Sequence, residues 1–263
     1  YMHEIATIGT AAAKVHNLSN NDYNDYDPVI YGNRIAWHSL VGQGTEIFFW
    51  DGQKWDGTSA ASAQTRRLTN NQASNSSPQI YGDNIVWQGR DGNDLEVYLY
   101  NIGTLTTTQI TSDIYDDVTP KIFGDNIVWQ GGPSSNREIY IYNIVDGGMP
   151  ANISNNSGLD QQPQIYGDRI AWHSFDGNDW EVMFYDLSQP FLPLNVSNNL
   201  DYDWGPQISD QLLVWRSNDG VDFEIVVASQ NDPVAIQTVQ LVGYGDTRNE
   251  DDEDFKVVID SVT

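Results

Sequence analysis

Residues 78–87 read PQIYGDNIVW, and this stretch decides the fold because the chain repeats it. Four further copies keep the proline, the aliphatic residue two positions later and the final tryptophan: PVIYGNRIAW from Pro28, PKIFGDNIVW from Pro120, PQIYGDRIAW from Pro163 and PQISDQLLVW from Pro206. Successive copies begin 42 to 50 residues apart. Periods of roughly 40–45 residues that contain several short strands are typical of propeller blades. The sequence therefore predicts an all-β, five-bladed β-propeller.

Each repeat divides into four short strands. The first is the Pro-x-Ile segment, which usually ends in a Gly-Asp or Gly-Asn pair suited to a tight turn with positive φ. The second strand carries the tryptophan. The third opens on a glutamate and then alternates, as in EVYLY from Glu96, and the fourth ends in an apolar residue followed by Ser or Thr, as in QITSD around Ile110. This pattern predicts four antiparallel strands in every blade.

The fourth strand of the last repeat is predicted from the other end of the chain. The stretch NLSNN around Leu18 matches the fourth-strand pattern and precedes the first repeat, whereas nothing after the strand at Glu224 matches it. We therefore expect residues 13–20 to join the blade that begins at Pro206 and to close the ring, which removes two exposed sheet edges. The predicted propeller spans residues 13–229, after an N-terminal extension over residues 1–12.

The repeat resembles that of the TolB-like propellers over residues 14–229. The motifs that carry the resemblance are Pro-x-Ile, Gly-Asp-x-Ile-x-Trp and the Asp-Gly-Asn-Asp-x-Glu-Val-Tyr type of hairpin. Such repeats occur in periplasmic translocation proteins, in domains that gate peptidases and in large secreted proteins, so the resemblance implies an extracellular or periplasmic location of bacterial type. Five repeats differ from the six typical of the translocation protein, and its particular partners are not implied.

Residues 230–263 do not follow the repeat and are predicted to form a β-hairpin appendage or part of a second domain. Two alternating stretches, QTVQLVGY and DFKVVIDSV, flank a very acidic turn and resemble the last hairpin of a Calx-β-type sandwich. This resemblance implies calcium at the acidic loop Glu250–Asp254. An isolated hairpin is marginal in water, so we expect its strands to pair with residues 1–10 or with another copy of the chain.

Composition excludes several classes of function. The chain has 12 Lys and Arg against 37 Asp and Glu, for a net charge of −25. Binding to nucleic acid or an anionic membrane needs the opposite charge, so neither is expected as a partner. No apolar run approaches the ~20 residues that span a bilayer. The absence of cysteine excludes disulfides, thiolate metal sites and a cysteine nucleophile.

An acidic or amide residue lies three positions before each repeat's proline: Asp25, Asn75, Asp117, Asp160 and Asp203. In a propeller these connections converge on one face, where a ring of carboxylates can bind a cation or a basic segment. The four aspartates are therefore our candidate metal ligands, with calcium as the ion, although no cofactor is required. The alternative is that each side chain caps its own turn, and recurrence in all five repeats favours this structural role.

Three further repeat columns are interpreted as structural. The hairpins DGNDLE from Asp91, DGNDWE from Asp176 and DGVDFE from Asp219 resemble part of a calcium loop. They have half the ~12-residue length of an EF-hand loop, and Asp-Gly is a strong turn signal, so we interpret them as turns. The third-strand glutamates are predicted to accept structural hydrogen bonds. The residues after the tryptophans are predicted to pack between neighbouring blades: His38, Gln88, Gln130, His173 and Arg216.

Aromatic residues in the connections between fourth and first strands are the candidate binding residues: Tyr23, Tyr26, Tyr115, Tyr202 and Trp204. Tyr and Trp supply contact area at low entropic cost. We therefore predict a non-enzymatic binding or structural module whose partner is a protein segment. A glycan partner, as in lectin-like propellers, is an alternative. A glycoside hydrolase of the five-bladed type is another, but it needs two carboxyl groups facing one pocket, and the first strands offer none.

Overall fold

A computed structural model describes residues 15–52 and 64–229, together with the backbone of residues 2–3 and 239–240. Its regular elements are β-strands, which form five four-stranded sheets and one two-stranded sheet. In the part of the chain described, no helix is long and apolar enough to cross a membrane. The predicted all-β architecture is confirmed, and the five larger sheets correspond to five blades.

The strands follow one another in chain order within each sheet, and all neighbours are antiparallel. The two-stranded sheet contains β1 (Met2–His3) and β2 (Val15–His16). The first sheet contains β3 (Asn24–Tyr31), β4 (Arg34–Val41), β5 (Gly44–Asp51) and β6 (Thr65–Arg67). The second contains β7 (Asn75–Tyr81), β8 (Asn84–Arg90), β9 (Leu95–Asn101) and β10 (Thr106–Gln109).

The remaining three sheets have the same order. The third contains β11 (Val118–Phe123), β12 (Asn126–Gly131), β13 (Glu138–Asn143) and β14 (Ala151–Asn152). The fourth contains β15 (Leu159–Tyr166), β16 (Arg169–Phe175), β17 (Trp180–Asp186) and β18 (Leu194–Asn195). The fifth contains β19 (Tyr202–Ile208), β20 (Leu212–Asn218), β21 (Phe223–Ser229) and β22 (Val239–Gln240).

The Gly-Asp pairs form the tight turns that the sequence predicts. Tyr81 pairs with Asn84, so β7 and β8 are joined by the two residues Gly82 and Asp83. Gly82 has a φ of 57°, a conformation that a two-residue hairpin requires and that glycine adopts without steric cost. The turn therefore sets the register of the hairpin.

The chain separates into two compact units, residues 1–133 with 140–152 and residues 134–139 with 153–263. In the first unit, Ile85 and Trp87 of β8 pack against the first sheet. Val86, which lies between them, packs against Ile127 and Trp129 of the third sheet. Successive side chains of a strand point to opposite faces, so the second sheet is buried on both sides.

The core of the second unit lies between the fourth and fifth sheets. Ala171 and Val182 of the fourth sheet pack against Leu213, Trp215 and other apolar residues of the fifth. In β20, buried Leu213, Trp215 and Ser217 alternate with less buried residues, and Arg216 is exposed. The fifth sheet therefore shows the alternation of a sheet with one buried face.

The structure corrects the expected closure by residues 13–20. The outer strand of the fifth sheet is β22, which pairs Gln240 with Val226, whereas β2 pairs with β1. β22 follows β21 along the chain, and a short loop costs less closure entropy than one that spans most of the chain. Leu18 packs instead on Trp37, Phe48 and Trp50 of the first sheet.

Several terminal predictions lie outside the described residues. These are the extension over residues 1–12 apart from the backbone of β1, the appendage over residues 230–263 apart from β22, and the acidic loop Glu250–Asp254. The predicted pairing of the tail with residues 1–10 or with another copy stays a prediction.

Candidate functional site

The four aspartates predicted as metal ligands lie in four different sheets, and each binds the tryptophan of its own hairpin. The indole Nε1–H donates to a carboxylate oxygen of Asp25 at 3.1 Å, Asp117 at 3.0 Å, Asp160 at 2.8 Å and Asp203 at 2.7 Å. Asn75 accepts in the same way at 3.3 Å. Among the described residues, none of the four belongs to a group of three or more candidate metal ligands, and metal binding by them stays a prediction. The tryptophan contact gives each of them a structural role within its own sheet.

The tryptophan partner was missed because the aspartate was interpreted as a turn cap. Donor and acceptor are 12 residues apart in all five repeats, and this constant spacing was the available signal. Asp160 and Asp203 are fully buried, and burial raises the pKa of both carboxyls, while serine and tryptophan donors lower it. A buried carboxylate that accepts several hydrogen bonds stabilises its sheet.

Three of the third-strand glutamates accept hydrogen bonds from the Ser or Thr that follows the fourth strand, as predicted. Thr111 Oγ1 donates to Glu96 Oε2 and accepts the N–H of Val97 at 2.9 Å. Ser154 donates to Glu138 at 2.6 Å, and Ser197 donates to Glu181. Burial raises the pKa of Glu96 to about 7, against the opposite effect of the Thr111 hydroxyl. The Ser or Thr of the fourth-strand motif therefore joins the two outer strands.

Every first strand contains an irregularity at the residue before its proline. This residue has positive φ in all five sheets: 48° at Asp27, 54° at Ser77, 54° at Thr119, 53° at Gln162 and 60° at Gly205. The strand register shifts at the same place. Left-handed backbone is strained for residues with a Cβ atom, so four sheets have a strain that the fifth relieves with glycine.

The irregularity frees a backbone N–H for the neighbouring sheet. Gln88 Oε1 accepts from Thr119 N at 2.8 Å, and His173 Nδ1 accepts from Gly205 N at 3.4 Å. These contacts confirm, for Gln88 and His173, the predicted packing between neighbouring blades. Burial lowers the pKa of His173 to about 4, so its imidazole is neutral and its Nδ1 can accept.

The aromatic candidates form separate groups in the two units. In the first unit, Tyr26 stacks on His38 with ring centroids 5.5 Å apart, and Tyr23 lies 6.3 Å from Phe48. Tyr115, in the connection after the second sheet, is also exposed. These tyrosines provide rings at the surface.

The aromatic group of the fifth sheet combines three rings with an arginine. Tyr202, which is 43% exposed, stacks on Trp204 with centroids 5.6 Å apart. The guanidinium carbon of Arg216 lies 5.3 Å from the Trp204 ring centroid and 4.9 Å from that of Phe223. Arg216 is the cross-strand partner of Trp204, so the sheet register holds the cation against the ring. Sequence reasoning missed Phe223, which lies in a hairpin interpreted as a turn.

A polar cavity of about 230 Å³ lies in the second unit. Its carboxylates are those of Asp201, Asp203, Asp219 and Glu224. Asp203 accepts from Trp215 and from Asn199 Nδ2 at 3.2 Å, so one of these groups is already engaged by the fold. The cavity carries negative charge and suits a basic group.

Hairpin turns bring further carboxylates together. Asp91, Asp94 and Glu96 form one group in the second sheet, and Asp176, Asp179 and Glu181 form another in the fourth. The pKa values of Asp94 and Asp179 are raised. Burial is the largest cause, and the charges of neighbouring carboxylates add to it. The structure thus clusters acids of the hairpin column rather than those predicted as metal ligands.

The described sheets define a β-propeller. No family model matches the chain, and no curated protein matches it in sequence. The solved structures similar to it include TolB from Acinetobacter baumannii, with a TM-score of 0.55 and 16% identity over 79% of this chain and 52% of that chain. This chain therefore spans about half the length of that TolB. The putative TolB from Agrobacterium tumefaciens matches with a TM-score of 0.58 and 14% identity over 84% and 82% of the two chains.

Enzymes share the same architecture. The acylaminoacyl peptidase from Pyrococcus horikoshii has a TM-score of 0.60 and 14% identity, over 90% of this chain and 41% of that chain. At such identities the likeness is one of fold. The chain has a TolB-like β-propeller fold, which confirms the resemblance seen in the repeats. The Calx-β part of the prediction is not among these similarities.

Proposed function

We propose that this propeller is a non-enzymatic binding module that holds a protein segment against the aromatic group of its fifth sheet. The observation that carries the proposal is Arg216, which lies against the rings of both Trp204 and Phe223 beside the exposed Tyr202. Tyr, Trp and Arg are the residues most enriched at the energetic centres of protein interfaces. Their fixed geometry lowers the entropy lost on binding.

The charge of the chain favours a basic partner. The net charge of −25 and the acidic cavity that contains Asp219 and Glu224 both attract cationic side chains. A segment with apolar residues for the rings and Lys or Arg for the carboxylates fits this surface. An extracellular or periplasmic location belongs to the same proposal and is supported only by the TolB-like fold.

The proposal is tested with a displayed peptide library selected on the native protein. We expect enriched peptides with basic and apolar residues, and a loss of affinity of about tenfold, or about 1.4 kcal/mol, on Tyr202→Ala. Phe191→Ala, which removes an exposed aromatic ring elsewhere in the same unit, is the matched control. Selection without enrichment, or peptides equally sensitive to both variants, contradicts the proposal.

A glycan partner is the second candidate, because the stacked Tyr202 and Trp204 rings form a platform on which a sugar ring can lie. A glycan array distinguishes the two. Binding of glycans that Tyr202→Ala abolishes, with no peptide enriched, favours the lectin-like function.

A further inference from the structure

The turn between β8 and β9 gathers three carboxylates into one small volume. Asp91, Asp94 and Glu96 each contribute an oxygen, and the three oxygens lie within 4.8 Å of one another. Asp91 Oδ1 is held in place because it accepts the N–H of Asn93 at 2.9 Å. The Asp91 N–H donates to the Asp94 carbonyl at 3.2 Å and closes the turn. The turn thus holds like charges together.

Two oxygens in this cluster are buried without a donor. The Asp94 side chain belongs to a residue only 8% exposed, and Glu96 is fully buried. Within the described residues, no hydrogen-bond donor reaches Asp94 Oδ1 or Glu96 Oε1. Thr111 serves the other Glu96 oxygen, Oε2. A buried carboxylate oxygen needs a hydrogen bond or a cation to be stable. Neighbouring carboxylates are themselves acceptors, so they cannot supply either.

The surroundings add negative charge. Asp116 Oδ1 accepts the N–H of Leu95 at 3.0 Å, which places a fourth carboxylate at the turn. The guanidinium group of Arg90, at the start of the turn, donates to the Asn93 carbonyl at 2.7 Å. None of the ion pairs formed by the described residues involves Asp94 or Glu96. Among the described residues, the turn therefore concentrates acceptors that have no matching cation.

We infer that Asp91, Asp94 and Glu96 form a calcium site. All three ligands are carboxylate oxygens, which suit a hard divalent cation and not one that prefers nitrogen or sulfur. Calcium accepts six to eight oxygens in an irregular arrangement, so backbone carbonyls and water can complete the shell. Magnesium requires near-octahedral geometry and keeps its water, which fits a rigid buried pair of carboxylates poorly.

The corresponding turn of the fourth sheet is a natural comparison. Asp176, Asp179 and Glu181 are also clustered, and the sequences DGNDLE and DGNDWE differ at one residue. Among the described residues, however, neither Asp179 nor Glu181 has a buried oxygen that lacks a donor. The inference is therefore confined to the second sheet.

The test is a calcium titration of the native, metal-stripped protein by isothermal calorimetry, with Asp94→Asn as the principal variant. We expect calcium binding by the wild type and at least a tenfold loss of affinity in the variant, with magnesium much weaker. Asp222→Asn changes the equivalent exposed residue of the fifth sheet and should leave binding unaltered. Asp91→Asn, whose amide oxygen can still cap the turn, is a second variant expected to weaken binding.

Three results would overturn the assignment. The first is that the wild type does not bind calcium at millimolar concentration. The second is that Asp94→Asn and Asp91→Asn both bind calcium as the wild type does. In the third, binding is lost in Asp179→Asn but retained in Asp94→Asn, which moves the ion to the fourth sheet. Circular dichroism and melting temperatures without calcium establish that each variant is folded, so a loss of binding is not a loss of structure.

Discussion

The turn of the second sheet and that of the fifth have similar sequences but different environments. DGNDLE and DGVDFE differ at two positions, and in both the first aspartate accepts the N–H two residues later at 2.9 Å. Yet Asp94 and Glu96 are buried, whereas Asp222 is exposed and Glu224 is only partly buried. The described part of the fifth-sheet turn contains no comparable carboxylate cluster.

The difference comes from the fourth strand and the connection that follows it. In the second sheet, Thr111 holds Glu96 and Asp116 accepts the N–H of Leu95. Thr111 comes two residues after Gln109, the partner of Tyr98. In the sequence of the fifth repeat, the residue two positions after Gln240, the partner of Val226, is Val242, which has no hydroxyl group and lies outside the described residues. In the second sheet, Thr111 and Asp116 therefore hold the region of the buried cluster, and we expect these covering residues, rather than the turn sequence, to account for the difference.

The largest expected effect concerns how the sheets are joined. His173 contacts Gly205 of the fifth sheet as Gln88 contacts Thr119 of the third. Its pKa is about 4 in the folded protein against 6.5 when exposed, so the stability it contributes is complete above pH 6.5 and is lost as the pH falls toward 4. The loss amounts to about 3 kcal/mol.

His173→Gln should remove this pH dependence while keeping an acceptor for Gly205. Urea unfolding of both proteins at pH 7 and pH 4 measures it, and the difference between their pH responses cancels the shared titration of the carboxyls. Identical pH responses would show that the histidine is not held neutral by the fold.

The second effect tests the covering strand directly. Thr111→Val keeps the side-chain shape but leaves Glu96 Oε2 without its donor and Val97 N without its acceptor. We expect the free energy of unfolding to fall by about 2 kcal/mol. Thr107→Val, at an exposed position of the preceding strand β10, is the control and should change the free energy of unfolding by less than ~0.5 kcal/mol. Equal effects in urea unfolding would refute the role assigned to Thr111.

The third effect concerns the residue before the proline. A Cβ atom at Gly205 meets open space, so only its φ of 60° opposes a larger residue. Gly205→Ser should destabilise the protein by about 1 kcal/mol, and Ser77→Gly should have a smaller effect of opposite sign, since glycine also loses more entropy on folding. Chemical denaturation of the two variants checks the signs, and a stabilising Gly205→Ser would argue against strain.

The smallest effect sharpens the comparison of the two turns. Val221→Asn converts DGVDFE into DGNDFE at a residue that is 86% exposed. We expect a change in the free energy of unfolding of less than ~0.5 kcal/mol and no new calcium binding, since the sequence has Val242, without a hydroxyl group, at the position equivalent to Thr111. Calorimetry with calcium checks this, and a new binding event would show that the turn sequence is sufficient.

The sequence predicts the local elements of this fold well because each repeat contains the residues that determine its own strands and turns. The Gly-Asp pair at Gly82 determines a hairpin, and the Glu96 and Thr111 columns determine which strands pair. The partner of the tryptophan was not predicted, and the outer strand of the fifth sheet was predicted wrongly as residues 13–20, since both depend on distances across the sheet. The hairpin DGNDLE was interpreted as a turn rather than as an ion site, because the sequence does not show that Asp91, Asp94 and Glu96 are clustered and partly buried. Periodicity does not report the depth at which a side chain lies.

The hydrogen bond between each tryptophan and its aspartate or asparagine has a consequence for the way the chain folds. It joins residues only 12 positions apart, and the Thr111–Glu96 bond joins residues 15 apart. These polar links within a sheet are thus of low contact order, a property that accompanies rapid folding in small domains. Each sheet can assemble before it meets its neighbours, so nascent chains can acquire order one blade at a time as they emerge from the ribosome.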